Sequence, residues 1–134
     1  MIATAGAGAV PSGVADAHDL APDERRELLR IARATLREFA DSGRIPPGKP
    51  HRASLVAPAT VGVALTLDGR ELARAAGAVI RPLYRAIQEQ VVAAARAIDG
   101  GQSLDDALVD RLVIEVEIAS APAPLLLREP ARAT

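Results

Sequence analysis

The stretch from Val61 to Gly69 constrains this chain more than any other part of it. Val61, Val63, Leu65 and Leu67 alternate with Gly62, Ala64 and Thr66, the period-two pattern of a strand with one buried face. Asp68-Gly69 then supplies two residues that tolerate positive φ, which a tight two-residue hairpin turn requires. A strand must pair, so a return strand is expected from Glu71 to about Ile80. An apolar sheet face must also be covered, so helices are expected against the hairpin. The return strand is poor in β-formers: Ala73, Ala75, Ala76, Gly77 and Ala78 are all small. Small residues let another backbone, side chain or ligand approach a sheet closely, and they serve equally as slack left by drift.

Two amphipathic helices flank the hairpin. Ala21-Pro22-Asp23-Glu24 places a proline at the first helical position and two carboxylates in the first turn, where the helix dipole favours them. Leu28, Leu29, Ala32, Leu36, Phe39 and Ala40 follow at helical spacing, and Gly43 is suited to close the helix in the left-handed conformation. Ile45 to Pro58 holds four prolines and predicts an extended crossing without periodicity. Pro82 opens a second helix with the stripe Leu83, Ile87, Val91, Ala94 and Ile98, and Asp99-Gly100-Gly101 ends it. Ser103 with Asp106 resembles a capping box for a short helix over Leu104–Arg111, burying Leu104, Leu108 and Leu112. Val113 to Ala119 predicts a last strand, with Ile114, Val116 and Ile118 on one face and Glu115 and Glu117 on the other. Pro122 and Pro124 stop it.

The expected class is therefore α+β: a small antiparallel or mixed sheet containing a β-hairpin, packed against two main helices. The expected layout is a flexible tail over 1–20, one domain over 21–125 and a C-terminal tail over 126–134. A three-stranded sheet leaves an edge through which a homo-oligomer can form.

Composition narrows the function classes. At 134 residues the chain can bury about two-thirds of its unfolded surface in one core. That core must be aliphatic, since the chain has one Phe, one Tyr and no Trp. Base or flavin stacking on aromatic rings is correspondingly disfavoured. A net charge of −1 gives no global attraction for polyanions or anionic membranes, so neither nucleic acid nor membrane is an expected partner. The absence of cysteine removes disulfides, thiolate nucleophiles and thiolate metal sites, and two histidines leave little for a metal centre. No metal and no cofactor are expected. Met1 to Ala17 lacks the basic and continuous apolar regions of a secretory signal, and no run of about 18 apolar residues occurs, so a cytoplasmic location is expected.

Neither GxGxxG nor GxxxxGK[ST] is present. Arg26, Arg30, Arg33 and Arg37 form a stripe on the first helix, but Asp23, Glu27, Glu38 and Asp41 interleave with it, which predicts an ordinary solvated face. Glu115 and Glu117 share one side of a strand, the arrangement by which two carboxylates divide acid and base roles when their environments differ. A wet edge strand shows the same pattern. Tyr84 is the only phenol and His51 the only histidine outside the N-terminal segment; either could move a proton to or from a substrate. Half-buried structural tyrosine and solvated loop histidine are the ordinary alternatives. Asp16-His18-Asp19 falls in the expected tail.

Several strings in order resemble the AMMECR domain family, the first component of the AmmeMemoRadiSam group. Leu28-Leu29-Arg30-Ile31-Ala32-Arg33 is similar to its opening helix, and Gly62 to Leu67 with Asp68-Gly69-Arg70-Glu71-Leu72 to its glycine-led hairpin. Arg81-Pro82-Leu83-Tyr84-Arg85-Ala86-Ile87 resembles the next helix, and Leu112 to Val116 the closing strand. The family signature Leu-Arg-Gly-Cys-Ile-Gly is replaced by Leu72-Ala73-Arg74-Ala75-Ala76-Gly77, which keeps only the leucine and the last glycine. The resemblance implies helices against a sheet and little specific chemistry. The expected function is a small-molecule-binding protein of a specialised bacterial pathway, running cofactor-independent isomerisation, cyclisation or dehydration. Tyr84, Glu115, Glu117 and His51 are the candidate catalytic groups, and Arg74, Gly77 and Arg81 the candidate ligand contacts. The alternative is a non-catalytic adaptor acting through protein–protein contacts.

Overall fold

The computed structural model describes residues 20–47, 53–98, 104–119 and 124–130. Helix α1 spans Pro22–Ser42 and begins as the sequence dictates, with proline in the first turn and the Ala21 N–H donating to Glu24 Oε1 at 2.9 Å. Gly43 ends it at φ 73°, and its N–H returns to the Phe39 carbonyl. A 3-10 turn over Ala53–Val56 leads into a short strand, β1 (Pro58–Ala59). The hairpin follows as β2 (Val61–Leu67) and β3 (Arg70–Ala76). Its turn residues Asp68 and Gly69 have φ of 52° and 81°, as the strand twist demands. The remaining elements are β4 (Arg81–Pro82), helix α2 (Leu83–Ala97), helix α3 (Asp106–Arg111), β5 (Val113–Ile118) and β6 (Leu125–Arg128).

The α+β class holds, with two main helices against an antiparallel sheet. The sheet has four strands in the order β3-β2-β5-β6, and β1 pairs with β4 in a separate two-stranded ribbon. Val61, Val63 and Leu65 of β2 join Ile114, Val116 and Ile118 of β5 on the buried face. Helix α2 lies over β2 and β3 and helix α1 over β5 and β6, so each main helix covers half of that face. The core is aliphatic, with Leu28, Leu36, Ile87, Val91 and Leu112 fully buried. Phe39 and Tyr84 lie at its border.

Four expectations need correction. The return strand stops at Ala76 rather than Ile80. There the Gly77 N–H closes the ladder on the Val61 carbonyl, and Arg81–Pro82 turns away to pair with β1. The short helix is capped by Asp105, whose side chain accepts from the Leu108 N–H at 2.8 Å; Ser103 lies outside the described residues. Residues 126–128 of the expected tail belong to the sheet, because Leu125–Arg128 pairs with β5 from Ile118↔Leu125 to Glu115↔Arg128. This makes β5 an interior strand rather than a wet edge. Prolines 124 and 130 bracket β6 and leave its outer edge short.

The fourth correction concerns the arginine stripe. Arg30 pairs with Glu27 and Arg37 with Asp110 on the surface. Arg33 instead turns inward and meets Glu129 with Nε at 3.0 Å from Oε2 and Nη2 at 2.6 Å from Oε1. The same guanidinium donates to the carbonyls of Val109 and Leu112, while Glu129 Oε1 accepts from the Ile114 N–H. One ion pair thus fastens the end of β6, the end of α3 and the start of β5 to helix α1. The side chains are 12% and 7% exposed, so removal of one charge leaves the other desolvated. Glu129→Ala is expected to destabilise the domain by about 3–5 kcal/mol in urea unfolding, whereas Glu27→Ala should cost about 0.5 kcal/mol or less.

Candidate functional site

The face of the sheet opposite the helices carries the polar side chains, because residues alternate along every strand. The register sets them in cross-strand rows. One row reads Arg74, Ala64, Glu115, Arg128; the next reads Ala76, Gly62, Glu117, Leu126. A bulge in β3 opposite Leu65/Thr66 brings Glu71 and Arg74 to the same side, where Arg74 Nε and Nη2 donate to Glu71 Oε1 at 3.0 and 2.7 Å. That hydrogen bond, and then the charge of Glu71, raise the Arg74 pKa above its ordinary value; Glu117 and Glu115 add smaller contributions.

The two glutamates occupy different recesses. Glu115 borders a hollow of about 250 Å³ with Thr66, Gly69, Val113, Arg128 and Glu129. Its charges are already matched, since Arg128 Nε lies 2.5 Å from Glu115 Oε2 and Glu129 is held by Arg33. Glu117 borders a hollow of about 130 Å³ floored by Gly62, Ala76, Gly77 and Ala119, with Pro124 on its rim. Glu117 is exposed and makes no hydrogen bond or ion pair with a described residue; it acts on Arg74 through its charge. A Cβ at Gly77 would lie 2.7 Å from the Gln90 amide nitrogen, a contact that the end of that flexible side chain can relieve by moving.

The structure therefore brings Glu115, Glu117 and Arg74 to one face; the Gly77 backbone borders the recess, but a side chain there would point toward Gln90 of α2 on the opposite face. Tyr84 is half-buried in the first turn of α2, on the opposite side of the sheet, with Arg85 stacked 5.7 Å from its ring centre. Arg81 is exposed on β4 and faces Glu89 at 3.6 Å. His51 lies outside the described residues. Tyr84 therefore cannot share a substrate with the two glutamates in this arrangement. Arg128 and Glu129 belong to the site region and were not singled out by sequence; only the pairing of β6 beside β5 places them there.

Among the described residues, no group of three or more histidines and carboxylates is placed to hold a metal ion. Within the same residues, no helix is long and apolar enough to cross a membrane.

No protein-family model matches the chain, and no curated protein is recognisably similar to it. A crystal structure of an uncharacterized protein from Pyrococcus horikoshii superposes with a TM-score of 0.61 at 22% identity. The match covers 78% of this chain and 52% of that one, so this chain spans about half the length of its structural neighbour. At that identity the likeness establishes a shared fold.

Because Arg128 is 61% exposed, its pair with Glu115 adds little to stability. Arg128→Ala is expected to change unfolding free energy by less than about 1 kcal/mol.

Proposed function

We propose that this chain is a small-molecule-binding protein on an AMMECR-like fold, with its site in the recess beneath Glu117. The observation that carries the reading is a carboxylate with no partner among the described residues, set over Gly62, Ala76 and the Gly77 backbone. A floor without side chains admits a ligand against the strands themselves, and the carboxylate accepts from a ligand N–H or O–H. A small polar molecule bearing an ammonium or hydroxyl donor fits this chemistry. Arg74, one cross-strand row away and paired with Glu71, adds positive charge on the same face. If the bound molecule reacts, Glu117 is the group that moves a proton, in an isomerisation, cyclisation or dehydration that a carboxylate can run. Glu115, neutralised by Arg128, has a supporting part. Tyr84 has none in the site.

A second reading, a non-catalytic adaptor, draws on the exposed aliphatic side chains Val79, Ile80 and Leu126, which are 60%, 64% and 54% accessible. Residues of this kind commonly mark protein contacts when they cluster. Native mass spectrometry of protein purified from its own host separates the two readings. A small-molecule adduct is expected on the wild-type chain, retained by Tyr84→Phe and lost from Glu117→Gln. An adduct that survives Glu117→Gln unchanged would move the site elsewhere, and a wild-type chain with no adduct would favour the adaptor.

A further inference from the structure

We propose that β3 pairs edge to edge with β3 of a second copy about a two-fold axis at Ala75, and that this pairing completes the recess beneath Glu117. The hollow in one chain is about 130 Å³, below the roughly 300–1,000 Å³ usual for ligand pockets, and Ala76 and Gly77 at the end of β3 form one of its borders. What lies beyond that edge therefore decides whether it can enclose a ligand. The inference bears on the site proposed above, but the pairing itself does not depend on a ligand.

The backbone register fixes what the edge offers. Gly77 donates to Val61, so the Val61/Gly77 pair is hydrogen-bonded, and the alternation of an antiparallel ladder makes Val63↔Ala75 hydrogen-bonded too. The N–H and C=O groups of Arg74 and Ala76 then point away from β2, at the border of the described sheet. Centring a two-fold axis on Ala75 sets each Arg74 opposite the Ala76 of the other copy. Each of these two pairs exchanges two bonds, giving four in all. Ala75 meets its own equivalent in the close, non-hydrogen-bonded position, where a methyl group is easily accommodated. The bulge at Leu72 and the charge of Glu71 confine pairing to the stretch beyond them.

Three features on other elements agree with this register. First, Arg74 extends the second copy's row Ala76, Gly62, Glu117. Three strand spacings, about 15 Å, separate the α-carbons of Arg74 and that Glu117. Only a methyl group and a glycine stand between them, so an extended arginine and glutamate can meet across the joint. The exposed carboxylate of one chain thereby gains a share of a cation that the other chain also pairs with its own Glu71. Second, α2 lies over β2 and β3, which puts it about 5 Å from the axis and the two copies of α2 about 10 Å apart, an ordinary helix-packing distance. The flank shared by Gln90, which reaches Gly77, carries Ala93 and Ala97, exposed and small enough for that approach. Third, Val79 and Ile80 continue the chain just past the paired stretch, where the hairpin end of the second copy would cover them.

Sedimentation equilibrium of the intact chain without ligand tests the pairing. The expected mass is twice the 13.9 kDa of the chain. Arg74→Glu should weaken the dimer about tenfold or more by facing Glu117 with a like charge, and Arg74→Glu combined with Glu117→Arg should recover it. Ala76→Pro removes only outward-facing N–H groups, so the chain should keep its circular dichroism spectrum while dissociating more than tenfold more readily. Amide hydrogen exchange should show Arg74 and Ala76 protected in the dimer. A wild-type chain of single mass at every accessible concentration overturns the proposal. So does a dimer indifferent to all three variants whose Arg74 and Ala76 amides exchange freely. Because mass is read without ligand, loss of the Glu117 binding site alone leaves this result intact.

Discussion

The bidentate pair between Arg33 and Glu129 holds together parts of the chain that nothing local would bring into contact. Arg33 lies in the middle of α1 and Glu129 just past β6, yet they meet with both side chains largely withdrawn from water. A buried charge pair is tolerated only when its remaining donors and acceptors are met, and here they are: two carbonyls at the α3–β5 junction take the rest of the guanidinium, and the Ile114 N–H takes the carboxylate. The apolar contacts of α1 with the sheet supply most of the cohesion, as in any core of this kind. The ion pair specifies position. It fixes where α1 sits along β5, and it recruits the last strand, which turns three strands into four and places Arg128 beside Glu115.

That dependence explains what could be read from the sequence and what could not. Helix α1 was legible because its proline, its first-turn acids, its apolar stripe and its terminal glycine are all local signals. The β2–β3 turn was legible for the same reason, in the two residues Asp68 and Gly69. Strand β6 was not. Leu125-Leu126-Leu127 shows no alternation between proline neighbours, and its identity as a strand comes from the ladder it joins. Arg33 looked like one member of a solvated stripe because its acid lies far along the chain. The end of β3 was overestimated because Ala78, Val79 and Ile80 read as continuation, whereas the course of the backbone there is decided by the separate ribbon of Pro58–Ala59 with Arg81–Pro82.

The candidate site was half legible. Alternation along β5 correctly set Glu115 and Glu117 on one face, and just past β3 the Gln90 side chain lies where a Cβ on Gly77 would go. What separates the two glutamates is invisible along the chain. One lies in a row that ends on Arg128, and the other in a row of Gly62 and Ala76 that holds no cation. The same strand thus carries one carboxylate paired across the sheet and one with no partner among the described residues. Tyr84, close to them in chemical promise, is cut off by the thickness of the sheet.

The two borders of the sheet are unlike each other. Beyond β6 stand prolines at 124 and 130, which have no N–H to offer, around a strand of only four residues. Beyond β3 stands a run of small residues with its donors and acceptors turned outward. A sheet open on both borders can add neighbours without limit and grow into a fibre. One that is blunted on a single border can be extended only once, after which no free border of the other kind remains. In the pairing proposed above, both outer borders of the joined sheet would be β6, short and flanked by proline, which disfavours growth beyond two copies.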